Sequence, residues 1–167
     1  MRSHLTALLF SAAAVCGSTS AHEELDVQNG PITVNISCRD NPQCILTKDG
    51  IELDITIRNS SGQPVALPFA YINKTGPMVE FVDNNDPKRR GAGRLSVPRP
   101  ELLTNLTQLA PGQTLSMSYW LSLDAVANFT QDNLCFTTTV KLLAPTENRQ
   151  DFVNFGTGQV VIRGEPR

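Results

Sequence analysis

The strongest constraint on the fold is a strict alternation of apolar and polar residues along one segment of the chain. The apolar residues are Ile51, Leu53, Ile55 and Ile57, and the polar residues between and after them are Glu52, Asp54, Thr56 and Arg58. A period of two is typical of a β-strand with one face in a core and the other in water. The pattern therefore predicts a strand whose Glu52 and Asp54 side chains lie on the solvated face.

Several further segments are predicted to be strands, and they are separated by turn signals. The run 64–72 is apolar and strand-like, but Pro68 inside it favours an edge strand or a break. Pro111 and Gly112 predict a type II turn, because glycine readily takes the positive φ that this turn needs. The remaining strands are predicted at 32–37, 78–82, 95–97, 115–121, 134–142 and 159–163.

Helical signals are weak in this sequence. Residues 123–128 are predicted to form a helical turn, residues 83–93 are predicted to be a loop, and no convincing amphipathic helix is found. Seven to nine short strands at regular spacing predict an all-β domain, most simply a two-sheet antiparallel sandwich. A closed barrel is the alternative architecture.

The N-terminus predicts a cleavable export signal over residues 1–21. Arg2 and His4 supply a basic end, an apolar run follows over 5–15, and Thr19, Ser20 and Ala21 fit a small-x-small cleavage site. The run is about ten residues long, too short to cross a bilayer as a helix, and no other segment is predicted to span a membrane. We therefore expect a secreted or periplasmic protein, with 22–30 a flexible lead-in and 31–167 a single domain.

Three cysteines lie beyond the predicted cleavage site. Cys38 and Cys44 bracket a short polar loop, in which Asn41 and Pro42 favour a turn. Because an exported protein meets oxidising conditions, we expect a disulfide between Cys38 and Cys44. Cys135 is then either a buried free thiol or the partner of one of the other two.

The sequence argues against catalysis, cofactors and nucleic-acid binding. The chain has two histidines, and export would remove His4 and leave only His22, so a nucleophile with a histidine base is nearly excluded. One histidine with no second close cysteine pair also makes a zinc site improbable, and no phosphate-binding glycine motif is found. The net charge of −2 gives no sign of a nucleic-acid partner.

Two features are candidates for partner binding. The first is the basic group Lys88, Arg89, Arg90 and Arg94 in the predicted loop, although its charges are also explained as a solvated loop beside acidic neighbours. The second is Trp120, which alternates out of phase with the apolar residues of its strand. It lies either on a partly covered second face of the sheet or in an exposed binding patch.

Two short motifs carry a resemblance to known proteins. The first is 50–59 (Gly-Ile-Glu-Leu-Asp-Ile-Thr-Ile-Arg-Asn) followed by 63–65 (Gln-Pro-Val), and the second is 109–114 (Leu-Ala-Pro-Gly-Gln-Thr). With this ordering, the segment 32–143 resembles the Ig-like sandwich N-terminal to the catalytic domain of peptidyl-Lys metalloendopeptidases. It is also similar to the intracellular proteinase inhibitor family. The resemblance implies an Ig-like fold and an association with peptidases, and it carries over no site residues.

These observations lead to three hypotheses about function. The first is an exported, non-catalytic domain that binds another extracytoplasmic protein, as a peptidase inhibitor, an immunity-type protein or an accessory protein does. The second is a module that binds a small ligand, a glycan or a metal. The third is a subunit of a surface assembly. Five N-x-S/T sequons also occur, at Asn35, Asn59, Asn73, Asn105 and Asn128. They are either glycan acceptors of a eukaryotic secretory pathway or chance occurrences in a chain rich in Asn, Ser and Thr.

Overall fold

The structure is a computed structural model that describes residues 30–93, 96–97, 99–146 and 151–165. The predicted export signal, nearly all of the lead-in 22–30, and Arg94 lie outside the described residues. Within them the chain is mainly β-strand with one short α-helix, so the prediction of an all-β domain is confirmed. No helix in these ranges is long and apolar enough to cross a membrane.

The described residues form ten strands, one α-helix and two 3-10 helices, the last at Pro100–Leu102 and Leu123–Val126. The strands and the α-helix are, in chain order, β1 (Ile32–Cys38), β2 (Ile45–Leu46), β3 (Ile51–Asn59), β4 (Val65–Leu67), α1 (Phe69–Thr75), β5 (Met78–Asp83), β6 (Arg90–Ala92), β7 (Thr107–Leu109), β8 (Thr114–Leu121), β9 (Cys135–Pro145) and β10 (Phe152–Gly164).

The strands are arranged in three sheets. A three-stranded sheet has the order β1-β3-β8, a five-stranded sheet has the order β2-β10-β9-β5-β6, and β4 pairs with β7. All pairings are antiparallel except that of β2 with β10. The strand β3 is central in its sheet, with Ile55 opposite Ile36 of β1 and Met117 of β8.

The sheets share one hydrophobic core. The alternation along β3 places Leu53, Ile55 and Ile57 inside, where each is fully buried. Facing side chains from the five-stranded sheet belong to the same buried cluster. Phe136 of β9 packs edge-on against Phe81 of β5, with ring centroids 6.0 Å apart. Burial of these side chains supplies the main favourable term for folding.

The strand β10 approaches β1 closely where the two larger sheets adjoin. A Cβ added at Gly158 would lie 2.4 Å from the carbonyl oxygen of Val34, a distance that real Cβ atoms do not adopt. Glycine in a strand commonly marks such an approach of one backbone to another. Between Asn154 and Thr157 the register of β10 against β9 shifts, which marks a bulge.

The structure corrects several predicted element boundaries. The run 64–72 is not one strand, because Pro68 ends β4 and the chain continues as α1, the helix that the alternation did not reveal. The predicted loop 83–93 includes β6, which pairs with β5. The last strand, β10, begins well before the predicted residue 159, and ten strands are found where seven to nine were expected. The helical turn predicted at 123–128 is confirmed as the 3-10 helix Leu123–Val126.

Asn59 joins the end of β3 to the two-stranded sheet of β4 and β7. Its side chain is fully buried, and its Nδ2 donates to the carbonyl oxygens of Gln63 at 2.7 Å and Leu109 at 2.8 Å. Its Oδ1 accepts from the backbone N–H and the hydroxyl of Ser61 at 2.9 Å and 2.7 Å. Its backbone is bonded to Gly112 and Gln113 as well. A side-chain amide that is fully buried cannot carry a glycan in the folded protein. The hydrogen bonds of Asn59 therefore explain why an asparagine stands at this position.

We expect Asn59→Ala to lower the free energy of unfolding by about 2–4 kcal/mol, because it leaves the buried carbonyl group of Leu109 without its donor and removes the bonds to Gln63 and Ser61. Urea unfolding followed by circular dichroism measures this. The matched control is Asn105→Ala, at an exposed asparagine, which should change the value by less than about 0.5 kcal/mol. Equal losses in the two variants would contradict the role assigned to Asn59.

Candidate functional site

Trp120 stands on the outer face of the three-stranded sheet. It lies in β8 directly opposite Glu52 of β3, and 57% of its surface is exposed. Its strand neighbours Tyr119 and Leu121 point inward, and Leu121 is fully buried. Of the two predicted positions for Trp120, the structure therefore shows the exposed one. It is also the single tryptophan of the chain.

The indole of Trp120 rests on Gly50. A Cβ built at Gly50 would lie 2.6 Å from Cζ2 and 2.9 Å from Cε2 of the indole, so only glycine leaves room for this packing. Gly50 also has a φ of +94°, which closes the turn from Thr47 to Gly50 and which L-residues rarely adopt. One side of the exposed aromatic ring is thus packed against the backbone of Gly50.

Arg39 forms an ionic cluster with two carboxylates beside Trp120. Its Nη1 lies 2.7 Å from Oε1 of Glu52, and its Nε donates to Oδ1 of Asp54 at 3.0 Å. Its Nη2 also bonds Asp54. The hydrogen bond to Asp54 is the largest cause of the raised pKa of Arg39, so the guanidinium keeps its charge. The predicted solvated position of Glu52 and Asp54 on β3 agrees with this arrangement.

The predicted disulfide between Cys38 and Cys44 is confirmed, and it closes the loop that carries Arg39. Within this loop Asn41 bonds the backbone of Ile45 twice, donating from Nδ2 to the carbonyl oxygen at 2.8 Å and accepting at Oδ1 from the N–H at 3.2 Å. The backbone N–H of Arg39 donates to the carbonyl oxygen of Glu52 at 2.8 Å. The loop is therefore fixed at both ends and presents Arg39 to β3.

These residues line a shallow depression of about 250 Å³ that is open to solvent; its lining is Arg39, Asp40, Asn41, Gly50, Ile51, Glu52 and Trp120. The depression lies at one end of the outer face of the three-stranded sheet. We call this the Trp120 face and define it by the outward residues of the three strands, which are Thr33, Asn35, Ser37, Glu52, Asp54, Thr56, Arg58, Thr114, Ser116, Ser118 and Trp120.

The described members of the predicted basic group, Lys88, Arg89 and Arg90, lie between the end of β5 and the start of β6, and none of them lines the depression. Arg89 pairs with Asp86, with Nε and Oδ2 3.2 Å apart, and also donates to the carbonyl oxygen of Asn128. The Nε of Arg90 donates to the carbonyl oxygen of Pro87. Lys88 is exposed, and its ammonium group makes no ion pair with another described residue. The acidic neighbours thus neutralise part of this group, as one of the two sequence-based interpretations expected.

A buried carboxylate holds the start of this connection in place. Asp83 is fully buried at the end of β5 and accepts hydrogen bonds from the backbone N–H groups of Asn85 at 2.8 Å and Thr130 at 2.9 Å. Burial alone would raise the pKa of Asp83, but the hydrogen bonds from Thr130 and Asn85 outweigh it, and the pKa lies below its ordinary value. Asp83 is therefore an ionised structural group.

Neither expectation for Cys135 is met. Cys38 and Cys44 bond to each other, which excludes Cys135 as the partner of either, and no cysteine within the described ranges is a free thiol. Cys135 is buried at the start of β9, where its Sγ accepts from Nδ2 of Asn84 at 3.4 Å. In the same ranges no group of three or more His, Cys, Asp or Glu side chains is placed to hold a metal ion.

Comparison with models of known protein families and with curated proteins found no match to this chain. The site is therefore defined by its geometry. The sequence pattern singled out Trp120 but did not point to Arg39, to Gly50 or to the pairing of Glu52 and Asp54 with Arg39. A signal was present, because the loop closed by the disulfide carries Arg39 and β3 presents two carboxylates outward, but their meeting depends on the pairing of β1 with β3.

We expect Asp83→Asn to destabilise the protein at neutral pH and to matter less in acid. Because the folded-state pKa lies below the unfolded value of about 3.9, the carboxylate stabilises the fold above that value and loses this effect as pH falls through the folded pKa. The free energy of unfolding should fall by about 1–3 kcal/mol at pH 7, and the gap to wild type should shrink as the pH falls below the unfolded value and through the folded pKa.

Denaturant titrations at several pH values measure the difference in unfolding free energy between Asp83→Asn and the wild type. The exposed ion pair between Arg89 and Asp86 provides a control. Asp86→Asn removes the partner of Arg89 at the surface and should cost less than about 1 kcal/mol at any pH. A deficit for Asp83→Asn that stays constant from neutral to acid pH would contradict the account of its pKa.

Proposed function

We propose that this chain is an exported, non-catalytic recognition domain built on an Ig-like sandwich. The order of its strands supports the Ig-like part. In Ig domains strands A, B and E share one sheet and strands G, F and C share the other, with C′ added in the variable type. The orders β1-β3-β8 and β10-β9-β5-β6 support an arrangement of this kind, to which β2 and the two-stranded sheet of β4 and β7 would be additions.

The position outside the cytoplasm is supported by two observations. The predicted signal peptide over residues 1–21 directs export, and the disulfide between Cys38 and Cys44 is of the kind that persists in oxidising compartments. The non-catalytic character is supported by the composition of the chain, whose two histidines are His4 and His22, both near its N-terminus. A Ser-His-Asp or Cys-His mechanism therefore has no base within the predicted domain.

The proposal rests mainly on Trp120, whose exposed indole packs against the backbone of Gly50. A large aromatic side chain is costly to leave in water, and such residues are enriched among the anchors of binding sites. Trp120 lies on a strand rather than on a loop, Gly50 supports its indole, and the cluster of Arg39 stands beside it. Sites on regular elements hold their geometry better than sites on loops. The Trp120 face is therefore the proposed recognition surface.

A second candidate is a protein partner that docks on the basic connection between β5 and β6. The exposed Lys88 favours it, since an unpaired surface cation attracts acidic partners. The resemblance to proteinase-associated modules suggests that such a partner is a peptidase. Arg94, the fourth residue of the predicted basic group, is not among the described residues.

The two candidates are distinguished by capture from the extracytoplasmic fraction of the producing cells. Immobilised mature protein is incubated with that fraction, and both retained protein and retained carbohydrate are quantified. We expect Trp120→Ala to lower the retained amount at least about tenfold, and Lys88→Glu to leave it unchanged.

The matched control is Phe152→Ala, at an aromatic residue that is 65% exposed on β10 and is not part of the Trp120 face. It should retain as much as the wild type. Undiminished capture by Trp120→Ala would overturn the proposed surface, and loss of capture in Lys88→Glu alone would establish the second candidate in its place.

A further inference from the structure

We infer that the Trp120 face binds a neutral carbohydrate, with one pyranose ring stacked on Trp120 and its hydroxyls bonded by the cluster of Arg39, Glu52 and Asp54. This inference rests on the proposed function, because it names the ligand class of the same surface.

The composition of the Trp120 face separates it from a typical protein interface. Apart from Trp120, every outward residue of the three strands is polar, and Asn35, Ser37, Ser116 and Ser118 are short and exposed. The cores of protein interfaces are more apolar than this, and serine is depleted in them. A surface rich in hydroxyl and amide groups suits a ligand that is itself covered with hydroxyl groups.

Trp120 supplies the one apolar contact that a sugar ring needs. The face of an aromatic ring is electronegative, and the C–H groups on one side of a pyranose ring carry partial positive charge, so the two surfaces attract each other. Because the indole already rests on Gly50, little conformational entropy is lost when a ring stacks on it. The exposed 57% of Trp120 is the surface available for that contact.

The polar groups beside the indole match the hydroxyls of a sugar. A hydroxyl donates one hydrogen bond and accepts two, so a sugar needs donors and acceptors close together. The guanidinium of Arg39 supplies donors, and the carboxylates of Glu52 and Asp54 supply acceptors with lone pairs that their ion pairs do not use. Hydrogen bonds to charged groups are stronger than those between neutral groups. The depression of about 250 Å³ brings the guanidinium, one of these carboxylates and the indole together.

The charge of the site selects neutral glycans over acidic ones. One cation, Arg39, stands among the carboxylates of Asp40, Glu52 and Asp54, so this cluster beside Trp120 carries a net negative charge. Carboxylated or sulfated sugars would be repelled there. A longer neutral chain has room to continue from Trp120 over Ser118 and Ser116 of β8, which stand on the same side of the strand.

Intrinsic fluorescence tests the inference directly, because Trp120 is the only tryptophan of the chain and reports on the site alone. The mature protein is titrated with cellohexaose, mannohexaose, chitohexaose and xylohexaose, and with hexagalacturonate as the acidic probe. We expect a saturable change in emission with at least one neutral hexasaccharide, weaker binding by its disaccharide, and none with hexagalacturonate.

Variants then test the residues by calorimetry, with melting temperatures confirming that each is folded. Trp120→Ala should weaken binding at least about tenfold, whereas Trp120→Phe, which keeps an aromatic face, should lose less. Arg39→Gln and Glu52→Gln should each weaken it severalfold. Val97→Ala and Phe152→Ala, at residues 82% and 65% exposed elsewhere, should bind like the wild type.

The outcomes separate this inference from the proposed function. If no neutral hexasaccharide binds while capture from the extracytoplasmic fraction still depends on Trp120, the carbohydrate inference is wrong and the recognition surface stands. If hexagalacturonate binds as well as the neutral sugars, the selection by charge is wrong. If neither sugar binding nor Trp120-dependent capture is seen, both proposals are overturned.

Discussion

The pairing of β3 between β1 and β8 is the interaction on which the rest of the structure depends. Its inward residues, Leu53, Ile55 and Ile57, are fully buried in the core, and its outward residues are ordered by the same register. A shift of one residue would exchange the two faces, bury Glu52 and Asp54 and expose the isoleucines. Burial of the core face therefore fixes the outer face, so one register determines both the core and the proposed recognition surface.

Each part of the site is held by a neighbouring part of the fold. The disulfide between Cys38 and Cys44 closes the loop that carries Arg39, and the turn ending at Gly50 supports the indole of Trp120. The carboxylates of β3 hold the guanidinium between these two parts. Few side-chain rotations are left to be lost when a ligand binds, which favours affinity in a small and shallow site.

The fold was more predictable from the sequence than the site was. Alternation is a local signal, so the strand character of β3, β8 and β9 and the outward position of Trp120 could be predicted from neighbouring residues. The bridge between Cys38 and Cys44 could be predicted because only one short loop separates them. The helix α1 was missed because its seven residues continue an apolar run that was interpreted as a strand. The full length of β10 was not predicted because glycines interrupt its alternating pattern. The cluster of Arg39 with Glu52 and Asp54 depends on strand register, which is not a local property of the sequence.

The central claim is that Trp120 is both exposed to solvent and held still, as a recognition anchor needs to be. Time-resolved fluorescence of this single tryptophan tests both properties at once, with acrylamide quenching for exposure and anisotropy decay for motion. For the wild type we expect efficient quenching by acrylamide together with an anisotropy that decays at the tumbling rate of the whole domain. In Gly50→Ala the added Cβ occupies the space on which the indole packs, so we expect an additional fast decay from local motion of Trp120. A tryptophan protected from acrylamide, or one that moves as freely in the wild type as in Gly50→Ala, would contradict it.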